Sequence, residues 1–117
     1  MQCKLSFSMA TLLIALGLNA TAVAAAEEAS VTIKSPADGA TLDAMEQHKL
    51  VYEVVPGPRG DHVHVYIDDA EVDILRELDS SYTLPTLDTG ERELCVRVVN
   101  RAHVPVGVDG CVTVTVE

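Results

Sequence analysis

The chain has 117 residues and a formal charge of −10, from 18 acidic against 8 basic side chains. That length allows one domain, and basic residues this few and scattered exclude a nucleic-acid footprint, which needs clustered Lys and Arg. Acidity on this scale favours cations and solubility and says nothing of fold.

The amino terminus with Lys4 is positive, residues 9–18 are apolar, and Ala22-Val23-Ala24 is a small-x-small cleavage pattern. Together they predict a cleaved signal peptide over residues 1–25, a periplasmic or secreted protein, and a mature domain over 26–117. A membrane-spanning helix takes about 20 apolar residues, more than this run supplies, so no span is expected in the mature chain. Cys3 and Lys4 leave with the leader.

Strand-like alternation follows. Residues 30–34 read as a first strand with Val31 and Ile33 inward, and Ser35-Pro36-Ala37-Asp38-Gly39-Ala40 turns the chain. The Leu42, Met45 spacing fits one helical turn or an irregular crossing. Residues 48–55 form a second strand with Leu50, Tyr52 and Val54 inward, ended by Pro56-Gly57-Pro58-Arg59-Gly60. The stretch Gly60 to Asp69 reads as the central strand, in which Val63, Val65 and Ile67 alternate with His62, His64 and Tyr66, so one face is apolar and the other carries two imidazoles. Asp68-Asp69-Ala70 is a turn into a short edge strand over 71–75. Residues 76–80 read as loop, 81–84 as strand, and Leu87-Asp88-Thr89-Gly90 as a corner before a long strand over 93–100. A connection over 101–109 leads to the last strand, 111–117. About seven short strands with turns between them predict an all-β, antiparallel sandwich.

About 90 residues fold alone with little to spare. Cys95 and Cys111 are an even pair in an exported chain, so a disulfide is expected, with a pair of metal thiolates as the competing reading. In the two last strands Leu94, Val96 and Val98, and Val112, Val114 and Val116, face in, whereas Cys95, Arg97 and Val99, and Cys111, face out. A hairpin that sets Cys95 opposite Cys111 also sets Leu94 beside Val112, so faces and register agree.

The run Tyr82-Thr83-Leu84, Leu87, Gly90 and Leu94-Cys95-Val96-Arg97-Val98-Val99-Asn100 resembles strands E and F of bacterial immunoglobulin-like or fibronectin-III-like modules. Two segments, Ser35-Pro36-Ala37-Asp38-Gly39-Ala40 and Arg97-Val98-Val99-Asn100 with His103-Val104-Pro105-Val106, are similar to the ends of periplasmic copper-resistance (CopC-like) proteins, Ig-like barrels that carry copper. That family's copper(II) site resembles an N-terminal His with an Asp-x-His; Arg101 stands where the Asp would be, and only His103 carries over. Gly60-Asp61-His62-Val63-His64 is similar to one strand of copper-zinc superoxide dismutases, whose sites use more histidines than the four present here.

In an Ig-like sandwich the third strand pairs with the sixth and the sixth with the seventh. His62 then lies beside Val99 and Asn100, next to the loop that holds His103. A His-x-His pair joined by a third imidazole from a neighbouring segment suits Zn(II) and Cu(II), with Asp61 as a ligand or as an acceptor behind one. His48 falls at the opposite end of its strand. Exposed strand histidines with no ion are the plainer reading, and clustered imidazoles could also give a pH-responsive surface.

Other motifs have ordinary explanations. Asp88-Thr89-Gly90 spells an aspartic-protease signature in a chain too short for that fold, and suits a corner. Arg59-Gly60-Asp61 is a three-letter match to the integrin tripeptide. Asp68, Asp69, Glu71 and Asp73 lack the spacing of a Ca(II) loop. No nucleophile and base can be placed together, so an enzyme is not expected. Two functions remain: a periplasmic sandwich that holds Cu(II) or Zn(II) through His62, His64 and His103, or an adhesion or assembly module that binds another periplasmic protein without metal. An exposed apolar patch at Val99 and Val104 would favour the latter.

Overall fold

Each alternating run forms a strand in the computed structural model, which describes Gly17 and residues 28–117. The predicted leader lies outside the described residues apart from Gly17. The strands are β1 (Ser30–Ser35), β2 (Thr41–Leu42), β3 (Lys49–Val55), β4 (His62–Ile67), β5 (Ala70–Leu75), β6 (Asp79–Thr83), β7 (Gly90–Val99) and β8 (Pro105–Val116). No helix occurs among the described residues, and so none is long and apolar enough to cross a membrane. One sheet has the order β1-β3-β6 and the other β2-β8-β7-β4-β5. Only the short β2–β8 contact is parallel.

The two-residue period of each strand sends one row of side chains between the sheets. Leu50, Tyr52 and Val54 from β3 meet Val63 and Val65 from β4, Leu94, Val96 and Val98 from β7, and Val112, Val114 and Val116 from β8, all buried. The Tyr52 hydroxyl donates to the Glu77 carbonyl oxygen at 2.7 Å, so its polar end is satisfied inside the core. β4 pairs with β7, His62 opposite Val99, and β7 with β8, Leu94 opposite Val112 and Cys95 opposite Cys111. That register brings the two sulfurs together in the Cys95–Cys111 disulfide.

Asp68 and Asp69 turn β4 into β5 with φ of 50° and 65°, left-handed values that Asp tolerates in a two-residue hairpin. The Asp68 carboxylate accepts the Glu93 N–H and the Arg92 guanidinium, both at 2.9 Å. β5 is thereby fixed as the edge beside β4.

Two expectations are corrected, one segment left open takes a definite form, and one conditional feature is not met. β8 begins at Pro105 rather than at Cys111, because two glycines that suggest a connection sit inside the strand. Gly107 (φ 85°) lies within an irregularity, where β7 runs from Arg97 to Val99 while β8 runs from Asp109 to Pro105. Gly110 faces β1, where an added Cβ would stand 2.9 Å from Val31 Cγ1 and 3.0 Å from the Val31 carbonyl oxygen. β6 begins at Asp79, inside the segment read as loop. The segment left open between a helical turn and a crossing is β2 followed by a turn. Finally, the outer face of β7 is covered at Cys95 and Val99, and Val99 is 0% exposed. It therefore makes no surface patch with Val104.

Candidate metal centre

His62 and His64 leave β4 on the side away from the core, as their spacing requires, yet they are only 1% and 3% exposed. They are covered because the β7–β8 hairpin folds over them. Asn100 shapes that hairpin: its Oδ1 accepts the N–H of Ala102 (2.9 Å) and Val104 (3.1 Å), and its N–H donates to the Val104 carbonyl oxygen (2.9 Å). The His103 N–H closes the turn on the Asn100 carbonyl oxygen at 2.9 Å. Five residues, Asn100 to Val104, join the strands, with Arg101 to His103 at the tip inside the Asn100–Val104 bond, and His103 holds a left-handed position (φ 64°) of the kind hairpin turns usually give to Gly. Its ring meets those of His62 and His64 with centroids 4.6 and 5.2 Å apart.

Three ring nitrogens converge. His62 Nε2 lies 3.2 Å from His64 Nε2 and 3.0 Å from His103 Nδ1, and His64 Nε2 lies 3.1 Å from His103 Nδ1. Bonds of about 2.0–2.1 Å to a common ion would subtend angles of about 90–105° across such spacings, a pyramidal cap rather than a flat triangle. The cluster could hold a metal ion.

The far nitrogens are held by carboxylates. His62 Nδ1 is 2.9 Å from Asp61 Oδ2, and His64 Nδ1 is 3.2 Å from Glu71 Oε1. A neutral imidazole has one N–H, and a carboxylate claims it. The Asp61 hydrogen bond therefore assigns Nδ1–H to His62 and turns its Nε2 lone pair toward His64 and His103, while Glu71 is an ion-pair neighbour of His64. Neutral His64 and His103 bring at most one proton each to the three short N···N contacts, so at least one contact is left without a hydrogen. Burial holds the His64 pKa below its ordinary value, Glu71 opposes this, and the His62 and His103 rings add to it. Asp61 also faces the guanidinium groups of Arg101 (3.5 Å) and Arg76 (3.7 Å). Its hydrogen bond to His62 is the main cause holding its carboxyl below the usual range, with the charges of His62 and both arginines adding to this against a desolvation cost.

The structure thus brings together His62, His64, His103 and Asp61, and adds Glu71 and Asn100, which sequence reasoning did not single out for this site. Asn100 left a signal, an Asn at the mouth of a short connection. Glu71 left none, since an irregularity between Val65 and Tyr66 sets it opposite Tyr66 on β5, where its carboxylate reaches back to His64. His48 is elsewhere, its Nε2 2.8 Å from the Asp43 carbonyl oxygen. The acidic residues after β4 are dispersed: Asp68 on Arg92, Asp69 on Arg97, Asp73 on the Ile74 N–H and Glu71 on His64. Asp88 and Thr89 offer carbonyl oxygens to Arg92 at the corner before β7. In Arg59-Gly60-Asp61 the arginine is exposed, the aspartate is engaged with His62, and a Cβ on Gly60 would come 2.6 Å from Val98 Cγ1.

No family model matches the sequence, and no curated protein matches it. Solved structures do match in shape. The fibronectin(III)-like modules of Clostridium thermocellum CbhA superpose with a TM-score of 0.62 at 16% identity, covering 74% of this chain and 95% of that one. The fold is fibronectin-III-like. An engineered protein solved at 1.98 Å gives a TM-score of 0.56 at 20% identity, covering 80% of this chain and 21% of that one. At these identities the likeness is one of fold alone.

Proposed function

We propose that this chain is an exported fibronectin-III-like module that binds one Cu(II) or Zn(II) ion through His62, His64 and His103, with Asp61 and Glu71 orienting two of the rings, and that it holds the ion without catalysing a reaction. The observation that carries the reading is the meeting of three imidazole nitrogens at 3.0–3.2 Å with too few protons to bond them to one another. Lone pairs facing at such distances in a part-buried place repel, and a cation between them removes the conflict. The left-handed His103 supports the same reading. Such a conformation costs a non-glycine residue about 1–3 kcal/mol, and it is tolerated where the side chain has work to do.

All-imidazole donors suit both ions. The similarity of the two end segments to CopC-like copper proteins makes copper a candidate, while Arg101 in place of that family's Asp means that the present site is a different one. Periplasmic or secreted location follows from the leader-like residues 1–25.

Titration of the mature protein with Cu(II) or Zn(II), followed by calorimetry, tests the reading. One ion should bind per chain, with affinity lost in His62→Ala and His103→Ala and kept in His48→Ala. Equal binding by all three variants would refute it.

A further inference from the structure

We propose that the ion held by this site keeps one coordination position open to a small anionic donor from outside the chain, so that the centre is a Lewis acid with an exchangeable ligand rather than a closed store. The inference rests on the metal-binding reading above and adds what the ion would bind.

Three features support it. First, the cluster gains no fourth His, Cys, Asp or Glu ligand atom within 4.8 Å of the other three among the described residues. The two nearby carboxylates are already taken up at the far sides of their rings, Asp61 on His62 Nδ1 and Glu71 on His64 Nδ1. Second, a cap with angles of about 90–105° places the ion out of the plane of its nitrogens, leaving room on the far side for a fourth ligand, which no further His, Cys, Asp or Glu atom of the described residues supplies within the cluster. A closed structural site would supply four protein ligands; three with an open position is the pattern that keeps a water or another small ligand. His103 is exposed while His62 and His64 are buried, so the cluster lies at the boundary between the covered face of the sheet and solvent.

Third, charge favours an anion. Three neutral imidazoles leave the whole positive charge on the ion. The nearest carboxylate, Asp61, is offset by Arg76 and Arg101, the latter 93% exposed on the hairpin that carries His103. The chain's overall charge of −10 opposes an incoming anion at long range. Salt screens that field beyond about 8 Å, which leaves the first-contact chemistry to decide. Exchange is a simple ligand substitution: the bond from the ion to water breaks, a bond from the ion to the anion forms, and no oxidation state changes.

The test uses Co(II), whose visible bands report coordination, in the full mature chain with its disulfide intact. One Co(II) per chain should bind, and excess azide should shift the bands along a saturable curve that ends at one azide per ion, with cobalt still bound after dialysis. A second arm replaces azide with acetate. A shift with azide alone confines the ligand class to inorganic anions, and a shift with both extends it to carboxylates; either supports the proposal. Bands that ignore both anions while cobalt stays bound would overturn the open position and leave the metal-binding reading standing. Loss of cobalt on adding azide would also overturn it. No cobalt uptake at all would sink both.

Discussion

Asn100 holds His103 in place from three directions. Its carbonyl oxygen accepts the His103 N–H, while its side-chain oxygen accepts the N–H groups of Ala102 and Val104 on either side. The third imidazole is therefore aimed by an amide that never touches the ion site. Replacing Asn100 with Ala removes both side-chain contacts and should lower stability by about 1–2 kcal/mol. Metal affinity should fall too, though less than in His103→Ala. Denaturant unfolding and calorimetry on the same samples check this, and an unchanged affinity would detach Asn100 from the site.

His103→Asn separates stability from binding. Asn accepts a left-handed φ at least as readily as His, so the metal-free variant should melt at or above the wild-type temperature. The same variant should lose the third donor and most of its affinity. Thermal melts with chelator and with excess Zn(II) read both effects: the wild type should gain stability from the ion and the variant should gain almost none. A metal-free variant that melts well below wild type would show that His103 serves the fold.

The carboxylates behind the rings give a graded effect. Asp61→Asn and Glu71→Gln keep shape and remove charge, and each should weaken metal binding by about 10–100-fold while the fold persists. Of the two, Glu71→Gln is the stricter case, because only the contact at 3.2 Å ties Glu71 to the site. Equal affinity in Glu71→Gln and wild type would reduce that contact to a surface pair.

Much of this arrangement was legible in the chain. The spacing of His62 and His64 fixed their shared face, and the pairing of the third strand with the sixth brought the His103 loop beside them. Where legibility failed, the cause was local geometry. Gly107 and Gly110 suggest a connection because glycine favours turns, whereas one sits within an irregularity and the other leaves room for Val31. Glu71 could not be assigned to His64 without the shift at Val65 and Tyr66, since register along an edge strand has no sequence marker of its own. The burial of His62 and His64 on an outer face was also hidden, because it depends on a hairpin folding back over its own sheet.

Acid should weaken the metal-free protein in a definite window. Burial is the main cause that places the His64 pKa below 6.5 in the folded state, so the unfolded chain binds more protons once the pH falls through that value. Stability then rises with pH across the window and is lost on acidification. Unfolding midpoints in chelator between about pH 7.5 and 5.5 should fall, and the fall should be smaller in His64→Gln. An equal slope in both proteins would contradict the assignment.

Loss of the cross-strand link should be costly in a domain of this size. Cys95 and Cys111 are 16 residues apart in sequence. A loop of that length is worth about 3 kcal/mol in the chain-entropy account. A Cys95→Ala, Cys111→Ala double variant should unfold at lower denaturant while binding metal with the same stoichiometry. Lost stoichiometry in a folded double variant would place the sulfurs in the site.

X-ray absorption at the metal edge of the Zn(II)- or Cu(II)-loaded chain reads the donor set of the ion itself. Three imidazole nitrogens at about 2.0–2.1 Å are expected, each with the outer-shell scattering of a ring, and no sulfur. A spectrum with one imidazole or none, or with sulfur bonded to the ion, would contradict the three-imidazole site.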